Sequence, residues 1–406
     1  MINPLRGMRD LIDNDSERYS YFIEHCSRIA KNYGFAFIET PILEETALFK
    51  RSVGESSDIV NKEMYQFTDK GEHDVCMRPE GTAGVVRAFI SAKYDKIGGV
   101  KRFFYHGPMF RYERPQKGRL RQFHQFGVES FGEASAMEDA NVILMLVEIF
   151  DFFGIRTKLK LNSLGSNESM RVYKEKLVNF LDATPGFCAD CLTRKATNPI
   201  RVLDCKDEHC QSLLKDAPVV LDFLSPTCKK DFETLQSVLD SFQVHYEVDT
   251  KLVRGLDYYN NTAFEFISEE IGAQSAIAGG GRYDRLVEFL DGKPTAGVGF
   301  AMGIERLMEL IVMGEQKREG YYLAALCEAA LESVFSLTIA KRKKHITLTS
   351  YQAKSLKAHL KAADKALVKY FVCIGEDELK NGTVWMKDLE TKEEQTLLIN
   401  NFKEKN

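Results

Sequence analysis

Phe110-Arg-Tyr-Glu-Arg-Pro-Gln-Lys-Gly-Arg-Leu-Arg-Gln-Phe-His-Gln-Phe-Gly-Val-Glu129 is the stretch on which the fold turns. Within 100–131 it reads as two strands around a polar loop, and residues 114–121 of that loop hold four cations and no acid. A cationic loop projecting from a sheet suits a polyphosphate or a nucleic-acid backbone. On the first strand Arg111 and Glu113 stand two residues apart and share a face. On the second, period two puts Phe123, Gln125, Gly127 and Glu129 on one face, and Gly127 leaves a floor that a ligand can approach. Polar groups that converge are costly to bury without a partner, so the hairpin predicts a ligand. A solvated sheet face is the alternative.

Working outward, apolar residues at helical spacing over 16–33 stop at Gly34, and a strand from Phe35 is broken by Pro41, which belongs to an edge or a bend. Residues 137–153 form an apolar helix pattern, uncapped and expected to be buried. From Leu164 to about residue 245 the chain turns charged and helical, and strand-like sequence returns at 252–303. The pattern predicts an α+β domain over 1–315 interrupted by a helical insertion at 166–245. The charged stretch Gly314-Glu-Gln-Lys-Arg-Glu-Gly320 reads as a linker. Strands near 321–327 and 370–374 with a helix near 352–366 then predict a small α/β domain over 320–406.

Composition narrows the class. The chain has 406 residues, 44% hydrophobic and 28% charged, with a net charge of -4. That is globular, and it excludes a uniformly basic nucleic-acid coat. From residue 318 onward, however, fifteen Lys and Arg face twelve Asp and Glu, so the C-terminal domain is mildly basic and suits an anionic partner. The basic run Lys341-Arg-Lys-Lys344 is either a nucleic-acid backbone contact or a solvated helix end. No run of about 18 uncharged apolar residues occurs, and the opening residues lack the apolar core of a secretory signal, so no membrane partner is expected. Nine cysteines suit reduced thiols in a cytoplasmic setting.

Three further segments carry chemistry. Gly297 to Met313 reads as a strand running into a helix with Ile304, Leu307, Met308 and Ile311 buried, which leaves Arg306 in the first turn for an anion. Its glycines miss the dinucleotide fingerprint by one residue. Arg254-Gly-Leu-Asp-Tyr-Tyr259 joins a fixed cation, a carboxylate and two phenols fit for a pocket wall. In Arg78-Pro-Glu-Gly-Thr82, Glu80 either holds an amino group or caps the following helix. Cys188, Cys191, Cys205 and Cys210 approach a zinc ribbon, with His209 as a substitute, but the second pair is spaced too widely. Reduced thiols with no metal are the expectation there, and structural zinc the alternative.

Taken together these segments resemble the class II aminoacyl-tRNA synthetases, and specifically the histidyl-tRNA synthetase family. Phe37 to Glu44 looks like motif 1, Phe110 to Pro115 with Arg121 to Glu129 like motif 2, and Gly297 to Leu307 like motif 3. Leu252 to Tyr259 and Ala278 to Asp284 resemble the family's two histidine signatures, and Ile374 to Thr383 its anticodon-binding domain. The resemblance implies a class II catalytic domain on an antiparallel sheet flanked by helices, a homodimer, and ligation of L-histidine to tRNA(His) through a histidyl-adenylate.

It also implies residue roles. Glu80, Gly81, Thr82 and Gln125 would surround the α-amino group, while Glu129, Tyr258 and Tyr259 would form the imidazole end. Arg111 would bridge amino acid and α-phosphate, Glu113 would face the adenine, and Arg119 and Arg306 would grip the outer phosphates of ATP. Arg254 would be a fixed cation on the α-phosphate, so Arg111 and Arg254 are the expected catalytic pair. Gln116 and Arg114 would meet the tRNA, and Mg2+ would accompany the ATP. Asn260-Asn261 depart from the Thr-Gly pair common in the family. The alternative is a non-catalytic, histidine-sensing regulatory paralogue, but such paralogues lack the last domain and the signature arginine.

Overall fold

The computed structural model describes residues 2–54, 57, 59–116, 118–254, 256, 258–271, 276–312 and 317–404. Lys117 of the loop, Gly255 and Asp257 of the tyrosine segment, and 314–316 of the expected linker lie outside the described residues. The chain divides into two compact units, Met1–Val312 and Met313–Asn406.

In the first unit an eight-stranded sheet runs in the order β1-β5-β6-β11-β10-β9-β7-β8. Its strands are β1 (Ala36–Phe37), β5 (Lys101–Phe110), β6 (Gln122–Phe131), β7 (Lys158–Ser163), β8 (Tyr246–Val248), β9 (Asn260–Ile267), β10 (Ala276–Arg282) and β11 (Gly297–Gly303). The six inner strands are antiparallel, as expected, but both edge pairs, β1 with β5 and β7 with β8, are parallel. Pro41 marks the bend where the chain leaves β1 for a separate three-stranded sheet of β2 (Leu43–Glu45), β3 (Tyr65–Thr68) and β4 (Asp74–Met77). The helix Ala136–Phe152 packs its many apolar residues inward. It is capped after all, because Ser135 Oγ accepts from the Met137 amide at 3.1 Å.

The expected insertion begins at the helix Asn167–Ala183 and ends at Pro226–Ser241. That last helix packs on Ala136–Phe152, so it belongs to the layer behind the sheet. The residues between build their own small core around Tyr173, Leu177, Val202 and Leu214. The second unit is a five-stranded mixed sheet, β13-β12-β14-β15-β16, made of β12 (Tyr321–Ala325), β13 (Thr347–Thr349), β14 (Tyr370–Ile374), β15 (Thr383–Asp388) and β16 (Glu394–Leu398). Its basic run is divided. Lys341 is only 3% exposed, under the rings of Tyr321 and Phe402, while Lys343 and Lys344 are exposed. Among the described residues no helix is long and apolar enough to cross a membrane.

Candidate active site

A cavity of about 300 Å³ opens on the face of the large sheet. Glu80, Thr82, Arg111, Glu113, Arg119, Gln125, Arg254, Tyr258, Tyr259 and Arg306 all line it. Four other candidates do not. Gly81 lies behind the wall, where a Cβ would stand 2.2 Å from the Tyr105 ring. Glu129 is sealed beneath, at 1% exposure. Arg114 and Gln116 are exposed on the loop.

The phosphate-facing candidates come from loops anchored by the sheet. β5 ends at Phe110, so Arg111 and Glu113 lie just past the strand rather than on it. The Glu113 amide turns back to the Arg111 carbonyl at 2.8 Å, which breaks the ladder. Arg111 is held by Nε donating to the Pro79 carbonyl at 2.9 Å, with its guanidinium over Phe123. Arg119 reaches Glu113 at 3.3 Å. Arg306 donates to the carbonyls of Gly118 at 3.1 Å and Ala276 at 2.6 Å. Burial and then the nearby Arg119 lower the pKa of Arg306, so two cations are held together, which an anion would relieve. The described loop cations do not act as one group: Arg114 is exposed, and Arg121 stacks on Tyr112 at 3.8 Å.

Arg254 lies flat against β10. A Cβ on Gly279 would stand 2.4 Å from its Nη1, so the glycine is what admits the guanidinium. Its Nη1 donates to Glu265 at 2.7 Å, and its Nε is buried without a partner. Burial opposes its charge, but Tyr259 and Glu265 outweigh that and its pKa rises. Gln125 Oε1 and Tyr258 Oη, on two residues of the cavity wall, are likewise buried and unpartnered.

The acidic end is built differently. The two Glu80 oxygens accept from the Thr82 and Ala83 amides at 2.6 and 3.0 Å, so in this state it caps the helix Thr82–Ser91. Burial raises its pKa against those donors. Tyr283 donates to Glu129, and Tyr105 does so at 3.3 Å. Burial nevertheless pushes the Glu129 pKa up to about 8. The open floor expected above Gly127 is filled: Tyr105 stands opposite it in register, and a Cβ there would meet the Tyr105 ring at 2.4 Å. Gly299 in turn makes room for the Glu129 carboxylate.

Sequence reasoning missed Tyr105, Tyr283 and Glu265. It also missed the buried Arg282–Asp139 pair, which ties the glycine-rich strand to the helix behind it. At Asn260-Asn261 the departure has a geometric basis. Asn261 has a φ of 48°, a left-handed conformation that asparagine tolerates, and Asn260 donates to Asp284 at 2.9 Å.

One premise about the cysteines is corrected, that the second pair is spaced too widely to meet the first. The sulfurs of Cys188, Cys191, Cys205 and Cys210 all lie within 4.8 Å of one another. The wider second pair closes because Asp207 caps the helix Glu208–Leu213, accepting from the Cys210 amide at 2.8 Å and turning Cys210 back toward Cys205. His209 is exposed and outside the group.

Comparison with known proteins follows the same lines. The family model for histidyl-tRNA synthetase matches residues 7–307, and that for the anticodon-binding domain matches 328–405. A histidine–tRNA ligase of Sulfurimonas denitrificans is 62% identical over 403 residues, covering 99% of this chain and 100% of its own. One from Campylobacter fetus is 59% identical over 405 residues, covering 99% of each. The crystal structure of apo S. aureus histidyl-tRNA synthetase superposes with a TM-score of 0.83 at 33% identity, covering both chains fully.

Proposed function

The chain belongs to the histidyl-tRNA synthetase family, and from that premise we propose how its cavity divides the work. It is an aminoacyl-tRNA synthetase: histidine is activated with ATP to histidyl-adenylate and pyrophosphate, then transferred to the 3′ end of tRNA(His). The histidine carboxylate is itself the nucleophile at the α-phosphorus, so the protein need only position the reactants and neutralise charge.

Arg111 and Arg254 take the α-phosphate and the carboxylate between them, and Arg119 with Arg306 take the outer phosphates. Arginine suits both tasks because it stays protonated and offers a planar fork. Glu113 faces the adenine. Glu80, Thr82 and Gln125 receive the α-amino group, with Glu80 giving up part of its helix-capping role, and Gly81 keeps that turn clear of Tyr105. Tyr258 and Tyr259 wall the ring. Glu129 accepts a ring N–H, displacing the long bond from Tyr105. Gln116 and Arg114, exposed on the loop, meet the tRNA.

The carboxylates Glu113 and Glu265 among four guanidiniums suit Mg2+ that arrives already bound to ATP, where it would offset phosphate charge. The exposed apolar side chains Phe37, Ile42 and Leu43 around Pro41 support a homodimer interface there. Nine unpaired cysteines fit a reducing, cytoplasmic setting.

The observation that carries the residue roles is Arg254, seated by Gly279 in the cavity with a buried, unpartnered Nε. Exchange of labelled pyrophosphate into ATP tests it. Wild type should exchange with histidine alone among the amino acids, and Arg254→Ala should lose about 10³-fold. No exchange from folded wild type would favour the histidine-sensing regulatory reading instead.

A further inference from the structure

We propose that Cys188, Cys191, Cys205 and Cys210 form a structural zinc site that fixes the small module between the helices Asn167–Ala183 and Pro226–Ser241. In tetrahedral zinc–thiolate coordination a Zn–S bond of about 2.3 Å sets the sulfurs about 3.8 Å apart. Here Cys188 Sγ and Cys205 Sγ are 3.9 Å apart, and all four sulfurs fall within 4.8 Å. A disulfide would need about 2.05 Å, and all four are free thiols.

The local backbone repeats on both sides. Cys188 immediately precedes the helix Ala189–Thr197 and Cys191 lies in its first turn. Cys205 precedes the turn capped by Asp207, and Cys210 lies in the first turn of the helix that follows. The Cys188 amide donates to Cys210 Sγ at 3.3 Å, an N–H to sulfur bond that crosses from one pair to the other. Such bonds orient and support thiolate ligands.

Burial supplies the reason for a metal. Cys191, Cys205 and Cys210 are buried within the module's core, beside Val202 and Leu214, and Cys188 is half-buried. The helices are short, so the core between them is small, and a core of that size gains most from a staple. Two loops leave the cluster, and the segment between the pairs carries Thr197, Asn198, Ile200 and Arg201 to one wall of a second cavity. Arg254 and Tyr259 line its other wall. Fixing the cysteines therefore fixes what stands behind the catalytic arginine.

Elemental analysis of the full-length chain, purified under reducing conditions without chelator, should find about one zinc per chain. After chelation, Co2+ added at one equivalent should give thiolate charge-transfer bands and the strong visible bands of tetrahedral cobalt. Zinc should then displace it. Cys205→Ser/Cys210→Ser should lose both the metal and the spectrum, and limited proteolysis of that variant should open new sites within 185–215. The wild-type cobalt spectrum stands even where the variant misfolds. The proposal is overturned by wild type that holds less than about a tenth of a zinc per chain and gives a cobalt spectrum without thiolate bands. Iron at about one per chain in place of zinc, or a disulfide linking any two of the four under non-reducing mass analysis, would overturn it equally.

Discussion

The two ends of the cavity handle charge in opposite ways. At the end proposed for the phosphates (the phosphate end), Arg111 and Arg306 are tethered to backbone carbonyls and Arg119 to Glu113, so their positions are set before any ligand arrives. Guanidiniums do not titrate in water, and holding them together lowers the cost of receiving a polyanion. At the acidic end, Glu80 and Glu129 are buried and their pKa values lifted, with hydrogen bonds already spent on the protein's own amides and phenols. Burial there works against the charged form of both carboxyls. One end waits for a ligand to match it, while the other must exchange internal partners for those of the ligand.

The sharpest way to break this contrast is Glu129→Gln, read as stability against pH. A carboxyl whose folded pKa is about 8, above its unfolded value, contributes stability that is fully present below the unfolded pKa and lost as pH rises through about 8. The glutamine variant carries no such slope. Between about pH 4.5 and pH 8 it should gain on wild type by up to about 5 kcal/mol, measured by denaturant unfolding at each pH. Parallel pH profiles for the two proteins would mean that Glu129 is already ionised and that the acidic end is charged like the other. In kinetics the same variant should raise the KM for histidine about tenfold or more, because a buried amide cannot accept as a carboxylate does.

The phosphate end should break at a glycine that carries no charge. A methyl on Gly279 would stand 2.4 Å from Arg254 Nη1, and the guanidinium, being the far end of a flexible side chain, can move away. Gly279→Ala should therefore unfold within about 1 kcal/mol of wild type yet lose about 10²–10³-fold in histidine-dependent pyrophosphate exchange. Equal losses of stability and exchange would place the glycine in strand packing instead.

What the sequence disclosed follows from what is local. Pro41 marked an edge or a bend, and the cations of 114–121 marked a polar loop that the structure places beside the cavity. What it hid depended on register and long-range pairing. Gly127 announced space, but only the cross-strand register with Tyr105 shows that a phenol fills it. Glu265 matters through its ion pair with Arg254, and Asp139 through Arg282, 143 residues away. Ser135, three residues before Glu138, was a readable capping signal that the apolar run obscured. The proximity of the cysteines was hidden because spacing was taken as distance, whereas the Asp207 cap folds the longer segment back.

The smallest expected effect lies outside both ends, on the loop. Arg114 and Gln116 are exposed and line neither the acidic nor the phosphate wall. If their partner is the tRNA, the chemistry of activation should not feel their loss. Arg114→Ala should keep pyrophosphate exchange within about twofold while aminoacylation at low tRNA concentration falls about three- to tenfold, since one exposed phosphate contact is worth on the order of 1 kcal/mol. The deficit should shrink as salt rises, because the lost contact is electrostatic and is screened in wild type as well. An equal loss in both assays would mean that the loop folds onto ATP, and the phosphate end would then extend past Arg119 to residues the structure leaves in solvent.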